Sequence, residues 1–390
     1  MGNKELRFWM AWSIIGLMKT EVVSLTGGNP DIEKIKAVAR ALDEGRLVAF
    51  GTETVYGIGC RTRADNICRL DEVKGRAGQK RYTLHIADPD VITGYVPTIP
   101  PRGRKLIANG WPGPVTIVFE LDDEALGQQR SVFGDDAFEV LYSDGTIGIR
   151  CPDNEIARQL LRSAKLPIVA PSANLDGKEP ATDADGVLEQ LAGRIDIVLD
   201  GGECKYKKSS TVVKMAGAQP IILRQGVYSE KDIAEMSLIR ILFVCAGNTC
   251  RSPMAAAFCR KYISEKLDCT VDETEVRGYK IVSAGLMAGV GMPASSEVVG
   301  ICARKGIDLS GHGSRPLTCA EAEASDYIFA MDRSNRERIL EICPAAAEKC
   351  LLLDGNSEIS DPIGAGDDVY GKCARQIERA LTERMGEILI

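Results

Sequence analysis

Two α/β domains in a single chain are what the sequence predicts, on three observations. The chain has 390 residues, a length that favours two or three domains over one. Strand-like and helix-like segments alternate to about Arg224, and a polar stretch follows, "GVYSEKDIAEMS" (226–237), which reads as a linker or a bridging helix. The alternation then restarts with "LIRILFVC", a near-continuous apolar run of the kind buried on both faces of a parallel sheet.

Taken in order, residues 1–18 combine a basic start with a short apolar run, "FWMAWSIIGLM". They lack the small-residue cleavage site of a signal peptide and are too short to cross a bilayer. A poorly ordered extension is expected, with Met18 as an alternative start. From Asp31, "DIEKIKAVARAL" has the spacing of an amphipathic helix, and "LVAFGTETVYGIG" reads as a strand entering a glycine-rich turn. The expected boundaries are 19–228 for the first domain, 229–237 for the linker and 238–390 for the second. In the second, a short strand "YIFAM" and a closing amphipathic helix from about Asp368 complete the pattern.

Composition narrows the chemistry. A formal net charge of −7 argues against a surface that coats nucleic acid. With two histidines and no CxxC pair among 13 cysteines, no metal centre is expected. The odd cysteine count without a secretion signal suggests a reducing, cytoplasmic setting.

The stretch "LFVCAGNTCRSPM" (242–254) draws attention because Cys245 and Arg251 stand six apart. Spacing alone proves nothing. Given the composition, chance yields such a pair about once, and the chain has a second, Cys373 and Arg379. That second pair lies in "YGKCARQIERAL", a helical pattern, and reads as structural. The overlapping "GDDVYGKC" ends in Cys where a nucleotide-binding loop needs Ser or Thr. Cys245 differs because it ends a buried strand just before a helix start, with Pro253 suited to a first turn. A loop there aims backbone N–H groups inward as an anion nest, and the same field lowers a thiol pKa from about 8.5. Arg251 is suited to gripping two phosphoryl oxygens, Gly247 to a tight backbone, Asn248 to bracing the loop, and Ser252 to hydrogen-bonding a thiolate. Asp361, held before Pro362, is the candidate general acid.

"VCAGNTCRSPMAAA", "SAG", "GIDLSGHGSRPL", "IFAMDRSNRERI" and "DPIGAGDDVY", in order across 239–390, resemble the low-molecular-weight protein phosphatase family. The resemblance implies a doubly wound fold and no cofactor. It makes Cys245 the nucleophile, Arg251 the phosphate binder and Asp361 the general acid, with Ala246, Gly247, Asn248, Thr249, Cys250 and Ser252 forming the phosphate loop. It also implies that Cys250 is a backup cysteine able to form a reversible disulfide with Cys245. Tyrosine-directed members usually carry Ile or Leu at the position of Thr249 and aromatic residues after Asp-Pro; here Ile363, Gly364 and Ala365 follow. "GNTCRSPMA" resembles the bacterial protein-arginine phosphatases, which implies a phosphoarginine preference. A runner-up is arsenate reductase, with Cys343 and Cys350 as a relay pair.

The first domain lacks both GxxxxGK[ST] and GxGxxG. It offers cations in strand-and-turn contexts (Lys74, Arg76, Lys80, Arg150, Arg224) together with Ser172 and Asn174, a set suited to a triphosphate and a small polar ligand. "GTETVYGIG", "KGRAGQK", "WPGPVTIVF", "TIGIRCPD", "APSANLDGKEPAT" and "SSTVV…ILRQG" resemble the YrdC-like threonylcarbamoyl-AMP synthase family over about 25–228. That implies a twisted mixed sheet and condensation of L-threonine, bicarbonate and ATP, with Mg²⁺ accompanying ATP. The product would serve tRNA through a downstream threonylcarbamoyl transferase. By matching position, Lys74, Arg76, Lys80, Thr116, Asn174, Thr182 and Arg224 fall on the ATP site. Thr52, Tyr56, His85, Arg150, Ser172 and Ser210 fall on the threonine site. Gly51 and "KRYTL" (80–84) depart from the family pattern. A module that only binds nucleotide or RNA is the alternative.

Overall fold

A computed structural model describes residues 19–25, 31–75, 81–142, 144–216, 219–355 and 357–389. The expected extension at 1–18, Arg76 and Lys80 therefore lie outside the described residues. The chain forms two compact units, Met1–Ile99 with Leu106–Ile233, and Pro100–Lys105 with Ala234–Ile390. Within the stretch read as a linker or bridging helix, Glu230–Met236 is helical. No helix among the described residues is long and apolar enough to cross a membrane.

The first unit is built on ten strands: β1 (Glu21–Ser24), β2 (Val48–Gly51), β3 (Tyr56–Arg61), β4 (Thr83–His85), β5 (Val115–Glu120), β6 (Thr146–Arg150), β7 (Ile168–Val169), β8 (Ile197–Asp200), β9 (Thr211–Ala216) and β10 (Gln219–Arg224). Their order is β1-β8-β2-β3-β7-β4-β6-β5-β9-β10. Parallel pairs such as β2 with β8 alternate with antiparallel ones such as β2 with β3, so the sheet is mixed, as the resemblance implied. Helix Ile32–Asp43 begins where Asp31 accepts the N–H groups of Glu33 and Lys34, the cap that a short acidic side chain provides. Its apolar stripe (Ile35, Val38, Ala39, Leu42) packs on Val48 and Phe50 of β2 and on Leu160 of helix Glu155–Ser163.

The second unit has four parallel strands in the order β12-β11-β13-β14, from β11 (Ile239–Cys245), β12 (Tyr279–Gly285), β13 (Tyr327–Ala330) and β14 (Cys350–Leu352). Side chains of β11 alternate between two cores. Ile241, Phe243 and Cys245 join the one that includes Met254 and Ile377, while Leu242 and Val244 join the one that includes Ile339 and Cys343. Helices therefore cover both faces, which is why "LIRILFVC" is apolar throughout. The strand order reverses beside β11, and in such sheets the crevice at that switch point, beyond the carboxyl ends of the strands, takes the ligand. Cys245 is the last residue of β11.

Candidate active sites

In the second unit, helix Arg251–Lys266 follows the loop 246–250 directly. The Cys245 sulfur lies 3.1 Å from Ser252 Oγ, and the Asn248 N–H donates to it at 3.3 Å. Asn248 has the left-handed φ of 57°, which Asn tolerates better than most residues. The tight turn expected at Gly247 thus falls one residue later. A Cβ at Gly247 would meet only Thr249 Oγ1, at 3.5 Å. Asn248 is held from every side: Nδ2 donates to Ser252 Oγ and Ser283 Oγ (2.9 Å each), Oδ1 accepts the Arg315 N–H, and its carbonyl lies 2.7 Å from His312 Nε2. The glycine that the loop requires is Gly285, where a Cβ would stand 2.8 Å from Ala246 O and 2.9 Å from Asn248 N.

Arg251 is buried at the first helical position. Its Nη1 donates to Asp332 Oδ2 (2.7 Å) and Ile359 O (3.0 Å), and its Nη2 pairs with Asp361 Oδ2. Burial works against its charge, but Asp332, Asp361 and Cys245 outweigh that and hold its pKa above the ordinary value. Arg251 Nε, although buried, has no partner, so the guanidinium keeps an unused donor. Asp361 also accepts the Ile363 N–H, which fixes the turn before Gly364. Thr249 Oγ1 lies 3.7 Å from Cys250 Sγ, and Cys250 Sγ lies 3.7 Å from Tyr370 Oη. Both Cys245 and Cys250 are free thiols.

Ser283, His312, Arg315 and Asp332 were inside the motifs read above, yet received no role. One signal was available, since His312 is one of only two histidines. The pair set aside as structural is so here: Cys373 sits in the core and Arg379 binds the buried Asp354 at 2.8 Å. Cys343 and Cys350 lie in the core on the opposite face of the sheet from Cys245, which is not where a thiol relay to Cys245 would run.

In the first unit the described residues fall into linked groups. His85 and Arg150 face each other across β4 and β6. Arg150 reaches the turn after β2, donating to Glu53 Oε1 (2.8 Å), Thr54 Oγ1 (2.7 Å) and, more weakly, Thr52 Oγ1 (3.4 Å). Its Nε is buried and without a partner. Burial, and after it Arg150, push the His85 pKa down to about 3, so the ring is neutral near pH 7. Thr116 Oγ1 and Ser210 Oγ are 3.0 Å apart, and Arg224 Nη2 donates to Ser210 O and Oγ. Desolvation, then the Arg150 charge, lower the Arg224 pKa. Tyr56 Oη donates to Gly202 O, and the Thr182 carbonyl accepts the Cys204 N–H.

Two residues depart from the roles expected of them. Lys74, fully buried at the end of helix Ala64–Lys74, donates to the carbonyls of Ser172 and Asn174. Its ammonium braces the 172–174 loop where an open phosphate-facing cation was expected. Asn174 spends its Nδ2 on Leu175 O and Lys178 O, and its buried Oδ1 has no partner. What it offers a ligand is an acceptor, the wrong polarity for a phosphate oxygen.

Each α/β unit thus carries its own candidate site: arginine and hydroxyl groups gathered in the first, and in the second a cysteine at the end of a parallel strand followed by a tight loop and a helix. Family models divide it in the same way. The model for Sua5, YciO and YrdC, described as telomere recombination, matches residues 40–226. The low molecular weight phosphotyrosine protein phosphatase model matches residues 240–389. A threonylcarbamoyl-AMP synthase of Pyrococcus abyssi is 33% identical over 225 residues, 56% of this chain; the chain spans 63% of that relative's length. A Mycobacterium tuberculosis protein, named as a candidate synthase of the same kind, is 32% identical over 52% of this chain and 88% of its own length. A protein-arginine-phosphatase of Geobacillus stearothermophilus is 33% identical over 38% of this chain and 95% of its own. The chain belongs to the Sua5/YrdC family in its first unit and to the low-molecular-weight phosphatase family in its second.

Proposed function

We propose that the chain is a bifunctional enzyme, a cysteine-dependent phosphatase joined to a threonylcarbamoyl-AMP synthase. The observation that carries the phosphatase reading is the Cys245 sulfur, held by the Asn248 N–H and the Ser252 hydroxyl, with Arg251 and Asp361 paired beside the same loop. The Cys245 thiolate attacks phosphorus in line while Asp361 protonates the leaving group. Water, deprotonated by Asp361, then hydrolyses the phosphocysteine. The incoming phosphoryl group takes the place of Asp361 on the Arg251 fork, which frees the carboxyl for proton transfer. Phosphoarginine is the preferred substrate. The Thr249 hydroxyl offers a guanidinium a hydrogen-bonding partner at the loop, where an apolar branched side chain would leave it unpaired, and the resemblance to a protein-arginine-phosphatase points the same way. The test compares phosphoarginine and phosphotyrosine hydrolysis. A wild-type preference for phosphotyrosine overturns this choice while leaving the phosphatase reading intact.

For the first unit, the carrying observation is a pair of arginines held by hydroxyl groups, Arg150 on Thr52 and Thr54 and Arg224 on Ser210 beside Thr116. The L-threonine amine captures bicarbonate as a carbamate with loss of water, and a carbamate oxygen attacks the α-phosphorus of ATP, expelling pyrophosphate. The clustered cations stabilise the transfer and the departing pyrophosphate. Mg²⁺ would supply charge neutralisation on the triphosphate. The orphaned Asn174 Oδ1 fits a hard cation or an N–H or O–H donor of the nucleotide, and is the residue we assign toward either. The product serves tRNA modification through a downstream threonylcarbamoyl transferase. Pyrophosphate release that needs both threonine and bicarbonate is the expected result; its absence would overturn the synthase reading and leave only a nucleotide-binding module.

A further inference from the structure

Far from the phosphate loop in sequence, the second unit gathers two thiols and a carboxylate. Cys319 Sγ, a Glu323 carboxylate oxygen and Cys343 Sγ all lie within 4.8 Å of one another, and no other such three-donor group occurs among the described residues. Cys319 opens helix Cys319–Ala324, which is capped by the Thr318 side chain on the Glu321 N–H. Glu323, four residues on, falls on the same helix face. Cys343 ends helix Arg333–Ile342 and is fully buried, its N–H donated to Ile339 O and its carbonyl accepting the Ala346 N–H. The neighbouring cation, Lys349, is committed to the carbonyls of Glu323 and Ser325, and not to the Glu323 carboxylate.

We propose that Cys319, Glu323 and Cys343 bind a thiophilic divalent cation, Zn²⁺ foremost, with water in the fourth position. Zn–S bonds of about 2.3 Å and Zn–O bonds of about 2.0–2.2 Å make the S···O edge of a tetrahedron roughly 3.5 Å. Cys319 Sγ and Glu323 Oε1 already stand 3.7 Å apart, so the metal would draw in donors that are nearly placed. Two thiolates and one carboxylate favour Zn²⁺ over Mg²⁺ or Ca²⁺, which prefer all-oxygen shells. Binding releases the two thiol protons and clips the segment after Pro316, which bridges to Gly285 behind the phosphate loop, to the end of helix Arg333–Ile342. The cation is a structural clip, and Cys245 chemistry does not pass through it.

The test titrates Co²⁺ alone into the reduced full-length chain, kept reduced with a phosphine. A thiolate-to-cobalt charge-transfer band that saturates at a single cation per chain and is bleached by Zn²⁺ is expected. Cys245→Ser should keep the band, Cys319→Ser should lose it, and Glu323→Gln, on the exposed side of the site, should weaken Co²⁺ affinity about tenfold. Zn²⁺ should also raise the unfolding temperature of the wild type and not that of Cys319→Ser. Absence of the band in the wild type at excess Co²⁺ overturns the proposal. So does an unchanged spectrum and affinity in Cys319→Ser, or, should that variant fail to fold, in Glu323→Gln.

Discussion

In the proposed function, Thr249 and Cys245 separate the two tasks of the phosphate loop, choosing a substrate and attacking it. Cys245→Ser removes the nucleophile but keeps a hydroxyl in contact with Asn248 and Ser252, so phosphatase turnover should vanish with the thermal unfolding profile unchanged. Thr249→Ile takes away one hydrogen-bonding group. A lost partner costs about 1–3 kcal/mol when the other group is left buried, so kcat/KM for phosphoarginine should fall about ten- to a hundredfold, with a smaller change for phosphotyrosine. An equal loss on both substrates would assign Thr249 to loop structure alone. His85 makes a prediction of a different kind. Its pKa is about 3 in the folded chain against an ordinary 6.5, so the unfolded chain binds the extra proton between those values. Stability should therefore be fully present above pH 6.5 and fall as pH is lowered toward 3, by on the order of 1.4 kcal/mol per unit. Melts between pH 7 and pH 5 should show a shallower slope for His85→Asn than for the wild type.

At the scale of elements, the phosphate loop is shaped as much by β12 as by its own residues. Gly285 ends β12 and lets the loop approach to a distance that no Cβ would allow. Gly285→Ala should displace Ala246 and Asn248 and lower phosphatase kcat/KM about a hundredfold, the scale of a 1 Å misplacement. Far-ultraviolet circular dichroism should show the fold retained; undiminished turnover would mean that the loop adapts. The neighbouring strand β11 carries the core. Phe243 is fully buried on β11 and stacks on Phe329 of β13 with centroids 5.6 Å apart. Phe243→Ala should cost about 3–5 kcal/mol, read by denaturant titration.

Across the whole molecule, each unit has its own sheet, core and candidate site. The two proposed activities should therefore be separable within the full chain. Arg224→Ala is expected to abolish threonine- and bicarbonate-dependent pyrophosphate release with phosphatase turnover unchanged, and Cys245→Ser to do the reverse. Loss of both activities in either variant would show that the sites depend on one another.

Much of this was legible in the sequence because it depends on local chemistry. The apolar run of β11, the amphipathic helix from Asp31, the placement of Cys245 before a helix, and the helical setting that discounts Cys373 with Arg379 all follow from residue type and spacing. Asp361, a carboxylate held before Pro362, and Arg224, one of several scattered cations, were candidates from residue type, but nothing in their spacing points to Cys245 or Ser210. What only the tertiary structure decided depends on contacts between segments far apart in the chain. It turned Lys74 inward onto two carbonyls, left Asn174 an acceptor, and moved the left-handed turn from Gly247 to Asn248. It made Gly285 the residue on which loop closure depends, and brought Cys319 to Cys343. A sequence states which groups exist and how each segment prefers to bend; which group faces which is set by packing, because burial in one core fixes side chains that the chain itself holds far apart.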